Sequence, residues 1–185
     1  MERSNYQITR LPNYQMPTTV AIALGSNLGA RRAHLDYATS RLGSLLEDLR
    51  VSSYVETDPV DVPDEQPRFL NAATIGQATL PARELLDVLL AIERERGRTR
   101  AFPDAARTLD LDLLLFGDQI LNRPGLTVPH PRFRERLFVL APLAEIAPGM
   151  IDPVTGRTIR ELLTRARAAL VANVRAGGGL QGAQG

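Results

Sequence analysis

The chain has 185 residues, a formal net charge of +1 and no cysteine. That length suits one well-cored domain with short tails, and the charge balance gives no bulk attraction to nucleic acid or an anionic membrane. All 22 basic residues are arginine, which excludes a Walker-type P-loop, a protein-kinase strand lysine and any Schiff-base enzyme. Phosphate, if handled, must be handled by arginine forks and metal ions. Without cysteine there are no disulfides and no thiol catalysis. No apolar run reaches the ~20 residues of a membrane span, and the N-terminus lacks a signal-peptide core. A soluble, cytoplasmic protein is the expectation.

In chain order, residues 1–17 are polar and without period and read as a disordered extension, ahead of a single domain at 18–173 and a flexible tail at 174–185. Thr19–Leu24 is a short apolar strand ending at Gly25-Ser26-Asn27-Leu28-Gly29. That turn resembles a phosphate loop, but a tight turn organised by Ser26 or Asn27 explains it better. Leu35, Ala38, Leu42 and Leu45 recur at helical spacing, predicting a helix over about 30–47. His34 on that helix reads as a surface or boundary residue. A strand follows at Val51–Glu56, then an acidic, Pro-rich loop, then a strand at Phe69–Gln77. Pro81 opens a second helix striped by Leu85, Val88, Leu89 and Ile92, and Gly97 stops it.

An arginine-rich loop, 98–107, leads into a strand over Arg107–Gly117. Strand residues two apart share a face, so Thr108, Asp110 and Asp112 point one way and Leu109, Leu111 and Leu113 the other. At roughly 3.3 Å per residue the Asp Cα atoms lie about 7 Å apart, close enough for their carboxylates to converge. Paired like charges in a half-buried strand disfavour folding unless a cation lies between them. Hard oxygen donors with no neighbouring His or Cys point to Mg²⁺ rather than zinc. A solvated strand face is the blander reading, and Asp is a poor strand residue. Arg94 and Arg96 fit a helix C-terminus that favours cations, whereas Arg98, Arg100 and Arg107 feed directly into the Asp pair. A hairpin-like stretch over Gly117–Leu121 precedes Val128-Pro129-His130-Pro131, where the stiff backbone leaves His130 either a site residue or a structural one. Arg136–Ala144 is short and helical, and Thr158-Ile159-Arg160-Glu161 is a capping box opening a helix over 159–173. The order β-α-β-β-α-β predicts an α+β fold: a ferredoxin-like antiparallel sheet with helices on both faces.

Several segments together resemble the 6-hydroxymethyl-7,8-dihydropterin pyrophosphokinase family of the folate pathway. They are Gly25-Ser26-Asn27-Leu28, Glu56-Thr57, Phe69-Leu70-Asn71-Ala72, Ile92-Glu93, Gly97-Arg98-Thr99-Arg100, Arg107-Thr108-Leu109-Asp110-Leu111-Asp112, Val128-Pro129-His130-Pro131 and Arg136 through Leu143. They fall in the family's order over roughly 18–165. The resemblance implies transfer of pyrophosphate from ATP to the pterin hydroxymethyl oxygen with release of AMP. It implies two Mg²⁺ on Asp110 and Asp112, and Arg98 and Arg107 on the phosphates as catalytic groups. It places Glu93, Arg100, Leu113, Thr127, His130, Pro131 and Arg136 on the ATP side as well. The pterin would stack between Phe69 and Phe138 and be read by Thr57, Asp58, Val60 and Asn71. Monomeric action on these two small molecules, with neither nucleic acid nor membrane as partner, follows from the same likeness. Departures from the family pattern are Ala106 where proline is common, Asp58 where proline is frequent, and a slightly shortened arginine loop without tryptophan.

Two rival readings have different requirements. A non-enzymatic ferredoxin-like module binding nucleotide or RNA through its sheet would have to bring phosphate against the Asp pair without metal. A neopterin aldolase, sometimes fused to this kinase, would need a lysine that the chain lacks.

Overall fold

The computed structural model describes residues 16–59, 66–98 and 106–177, with side chains up to residue 173. The expected extension before residue 16, the last eight tail residues, and Val60 and Arg100 lie outside the described residues.

The central strand, β1 (Thr18–Ser26), is buried from Val20 onward because it is flanked and covered on every side. It pairs antiparallel with β4 (Phe69–Ala78) and with β5 (Asp110–Phe116). β2 (Glu47–Val51) adds to the outer edge of β4, giving the order β2-β4-β1-β5, and β3 (Val55–Thr57) pairs with the opposite end of β4. Alternation along β1 sorts the core into two layers. Val20, Ile22 and Leu24 pack on Leu35 and Leu42 of α1 (Arg31–Gly43) and on Leu85, Leu89 and Ile92 of α2 (Ala82–Glu95). Ala21 and Ala23, with Ala73 and Ile75 of β4, meet Leu140 and Leu143 of α3 (Leu137–Ile146) and Ile159 and Leu162 of α4 (Ile159–Gly177). The ferredoxin-like order with helices on both faces is therefore present. No helix among the described residues is long and apolar enough to cross a membrane.

Four boundaries depart from the sequence expectations. The first helix ends at Gly43 instead of about 47, where the Ser44 and Leu45 amides turn back to carbonyls three residues earlier, Arg41 (3.2 Å) and Leu42 (3.0 Å), and tighten the last turn. The strand expected over 51–56 is two strands with a jog between them. At the jog, Ser52 Oγ accepts the Ala73 amide (2.9 Å) in place of a ladder carbonyl, and Glu145 accepts the Ser53 amide (3.0 Å). The hairpin lies beyond the expected Gly117–Leu121: β6 (Leu121–Arg123) and β7 (Leu126–Val128) form a two-stranded sheet of their own. The last helix continues to Gly177, beyond the expected 173, and its capping box is made. Thr158 N–H donates to Glu161 Oε2 (2.8 Å) and Glu161 N–H to Thr158 Oγ1 (3.2 Å).

Candidate active site

The site is built on one end of the three central strands. Register places Asn71 of β4, Gly25 of β1 and Asp110 of β5 in one row, and Ala73, Ala23 and Asp112 in the next. The two aspartates therefore share a face, as the period-two reading requires, while Leu109, Leu111 and Leu113 enter the opposite core. Residues between the functional side chains are small, so the sheet forms a floor. A Cβ on Gly25 would lie 3.3 Å from Asn71 Oδ1 and 3.9 Å from Asp110 Cβ. The turn glycine thus makes room for a ligand over the strand end, a role that the phosphate-loop reading missed.

Farther along β5, Leu113 pairs with Ile22 and Leu115 with Ala21, which makes Leu114 an extra residue. This bulge puts Leu114 and Leu115 in the same core layer and explains why Leu113–Phe116 is apolar without alternation. The Leu114 carbonyl accepts the His130 amide (2.9 Å), bringing the histidine to the same strand end as the aspartates.

Two cavities meet at the aspartates. The first, about 240 Å³, is lined by Thr57, Asp58, Phe69, Asn71 and Phe138 together with Arg98, Arg107, Asp110, Asp112, His130, Arg132 and Arg136. The second, about 260 Å³, is lined by Glu93, Leu113, Thr127 and Pro131 and again by Arg98, Asp110, Asp112 and His130. The described pterin-side residues thus lie in one cavity. Most of those assigned to ATP lie in the other, while Arg107 and Arg136 line the first and not the second.

Charges in the shared wall are arranged asymmetrically. Arg98 Nη1 lies 2.6 Å from Asp110 Oδ1, and Arg107 Nη1 lies 2.8 Å from Asp110 Oδ2. Arg98 is also paired with the buried Glu93, whose Oε1 accepts the Leu111 amide (2.7 Å). Around Asp112 the spacing is looser, with Arg136 at 3.9 Å and His130 Nε2 at 4.0 Å. Burial first, and the charge of Asp110 second, push the Asp112 carboxyl up to about 6. Burial also raises Glu93 to about 7 against the pull of Arg98. His130 is pushed down to about 4 by burial and then by Arg136 and Arg132, so it is neutral at pH 7. Its buried Nδ1 has no hydrogen-bond partner among the described residues, leaving a polar atom available to a ligand.

A strand-borne carboxylate pair with one member short of cations suits a hard divalent ion such as Mg²⁺. Among the described residues no third His, Cys, Asp or Glu joins these two as a cage. The remaining coordination positions would fall to water or substrate oxygens.

In the first cavity Asn71 Nδ2 donates to Thr57 Oγ1 (2.7 Å), so the two polar groups are already aligned. The Arg136 guanidinium stacks over the Phe138 ring at 5.5 Å from its centroid.

One residue, Arg132, and the partners of another, Asn27, escaped the sequence reading of the site. Arg132 faces the first cavity; its only sequence signal was its position two residues after His130. Asn27 is buried and joins both flanking segments. Its Oδ1 accepts the Arg107 amide (2.7 Å), its amide donates to the Arg107 carbonyl (3.1 Å), and its Nδ2 donates to Gln66 (3.0 Å). The tight-turn reading of Gly25–Gly29 anticipated such a role for Asn27 without its partners.

The model of the 7,8-dihydro-6-hydroxymethylpterin-pyrophosphokinase (HPPK) family matches residues 21–148. The 2-amino-4-hydroxy-6-hydroxymethyldihydropteridine pyrophosphokinase of Pseudomonas aeruginosa is 44% identical over 146 residues, covering 78% of this chain and 89% of that one. The Bacillus subtilis protein of the same name is 49% identical over 127 residues, covering 68% of this chain and 75% of its own length. In fold, the chain is similar to wild-type Plasmodium falciparum HPPK-DHPS, with a TM-score of 0.69 at 14% identity. That match covers 88% of this chain and 47% of the longer protein, so the chain spans about half its length. Given the long family match and these bacterial relatives, the chain belongs to the 7,8-dihydro-6-hydroxymethylpterin-pyrophosphokinase family.

Proposed function

We propose that the shared wall of the two cavities is where pyrophosphate passes from ATP to 6-hydroxymethyl-7,8-dihydropterin, with AMP released. As a member of this family the chain is an ATP-dependent diphosphotransferase of folate synthesis. The observation that carries the assignment is the position of Asp110 and Asp112, which border both cavities at once. A donor and an acceptor seated on either side are brought together at the one place where cations and phosphates can meet. The pterin hydroxyl oxygen forms a bond to the β-phosphorus in line and gives its proton to water, and the bond from that phosphorus to the α-phosphate oxygen breaks, that oxygen leaving on AMP.

Phe69 and Phe138 hold the pterin ring, with Asn71, Thr57 and Asp58 against its edge. Val60, outside the described residues, is assigned to the same edge. Glu93, Leu113, Thr127 and Pro131 line the nucleoside side. His130, neutral and with an unsatisfied Nδ1, serves as a hydrogen-bonding group and not as a cation. Arg98, Arg107 and Arg136 bind phosphate oxygens and stabilise charge that develops during transfer. Arg100, outside the described residues, is assigned there too. Asp110 and Asp112 would hold two Mg²⁺; such ions neutralise phosphate charge and orient the donor. The chain is taken to act as a cytoplasmic monomer.

The test incubates protein with Mg²⁺, ATP and the hydroxymethyl pterin and identifies the nucleotide product. AMP formed only when the pterin is present is the expected result. ADP, or AMP formation indifferent to the pterin, overturns the assignment.

A further inference from the structure

We propose that Arg98 and Arg107 act as resident counter-cations of Asp110 in the ligand-free protein and must leave its carboxylate before a divalent ion can bind there. The proposal rests on the assignment of Asp110 and Asp112 as metal-holding residues. Both oxygens of Asp110 are occupied in the structure, Oδ1 by Arg98 at 2.6 Å and Oδ2 by Arg107 at 2.8 Å. These are charge-assisted contacts in a poorly hydrated wall, with all three side chains less than one-fifth exposed. Arg98 is braced from behind, because the same Nη1 is paired with Glu93, and Glu93 is fixed by the amide of Leu111, the residue between the two aspartates. Arg107 is braced through its backbone, whose amide and carbonyl are both bonded to Asn27.

A divalent ion approaching Asp110 alone must therefore compete with two positioned guanidinium groups. An ion that arrives on a polyphosphate brings its own replacement partners. Phosphate oxygens accept the two guanidinium groups as the carboxylate releases them, so no cation is left without an anion. The site is thereby closed to bare divalent ions and opened by the nucleotide. The same exchange moves Arg98 and Arg107 from the aspartate to the phosphates. The selectivity belongs to this chain's own side chains, and it makes metal and nucleotide binding mutually dependent.

Mn²⁺ titrated by electron paramagnetic resonance, with and without a non-hydrolysable ATP analogue, provides the test. Wild-type protein should bind free Mn²⁺ weakly and much more tightly with the analogue present. Arg98→Gln and Arg107→Gln should each raise affinity for Mn²⁺ alone by about tenfold, the scale of one charge-assisted bond. The analogue should in turn add less to Mn²⁺ affinity in these variants. Damage to the fold lowers metal affinity and cannot raise it, and thermal melts identify any variant that fails to fold. Should a variant not fold, Arg98→Lys or Arg107→Lys, which keeps the charge but loses the guanidinium fork, should raise affinity for Mn²⁺ alone in the same direction by a smaller factor. Unchanged or lowered affinity for free Mn²⁺ in the folded variants overturns the exchange while leaving the functional assignment intact. Mn²⁺ binding that is insensitive to Asp110→Asn and Asp112→Asn even with the analogue overturns the metal assignment, and the exchange with it.

Discussion

Two aspartate-arginine clusters in this molecule use the same chemistry for opposite ends. Asp152 is completely buried, and its carboxylate takes two bonds from Arg134 (2.7 Å each), one from the Thr155 hydroxyl (2.6 Å) and one from the Val154 amide (3.3 Å). Burial acts to raise this carboxyl, but Arg134, Thr155 and the Val154 amide outweigh it and hold it below the ordinary range. Asp110 also has two arginine contacts, yet it lies on a cavity wall beside Asp112, whose ion pairs among the described residues are longer, with Arg136 at 3.9 Å. A closed shell of donors makes the first cluster a staple for the turn before α4. A looser shell facing open volume leaves the second able to take a ligand. Pairing alone identifies neither role; the number of unsatisfied partners and the access to ligand do.

The sharpest way to break this contrast is to remove the carboxylates. Asp110→Ala and Asp112→Ala should each lower pterin-dependent AMP formation by about a thousandfold or more, since they lose charge stabilisation at the reacting phosphates. Without divalent ions the melting temperature of Asp112→Ala should stay close to wild type, because its nearest described cations stand off at 3.9–4.0 Å, whereas Asp110→Ala should melt lower by stranding Arg98 and Arg107. Pronounced unfolding of Asp112→Ala would put it in the same class as Asp152. The reverse pattern belongs to Asp152→Ala, which should cost about 2–3 kcal/mol in urea denaturation by stranding Arg134, with AMP formation per folded molecule retained. Phe138→Ala should be a smaller effect, raising KM for the pterin by about tenfold through loss of ring stacking.

The smallest effect separates the clusters by sign. Asp112 holds its proton more tightly in the folded protein than in the unfolded chain, so its contribution to stability is fully present below its ordinary value of 3.8. That contribution is lost as pH rises through about 6. Asp152 behaves oppositely, since its stability is present above the ordinary value and disappears as pH falls through its lowered one. Urea denaturation across this range without divalent ions should show stability declining with pH through Asp112 and through Glu93, whose carboxyl burial raises to about 7, and Asp112→Asn should remove the Asp112 share and leave that of Glu93.

Much of the fold was legible because it rests on local periodicity. Leu85, Leu89 and Ile92 mark one helical face regardless of what they meet, and Thr158 and Glu161 identify a helix start by spacing alone. The broken second strand was not legible, because its jog depends on Ser52 meeting Ala73 and Ser53 meeting Glu145. The apolar run Leu113–Phe116 breaks the alternation of the strand, and only the register with β1 reveals the bulge at Leu114. Within the site, the residue types and the shared face of the aspartates were readable. Arg132 and the bridging role of Asn27 were not, since the latter joins Gln66 and Arg107 from distant parts of the chain.

By itself, the sequence determined that Asp110 and Asp112 share a strand face, that arginine is the only basic residue type available to bind phosphate, and which family motifs occur in what order. These follow from composition and from the two-residue period of an extended backbone, which hold wherever the strand lies. Only the tertiary structure decided that the pair borders two cavities and that both oxygens of Asp110 are taken by Arg98 and Arg107 while Asp112 is left short. Those facts depend on contacts among separate elements. Electrostatic balance at a carboxylate is set by what packs within a few ångströms of it, and adjacency in the chain does not encode that.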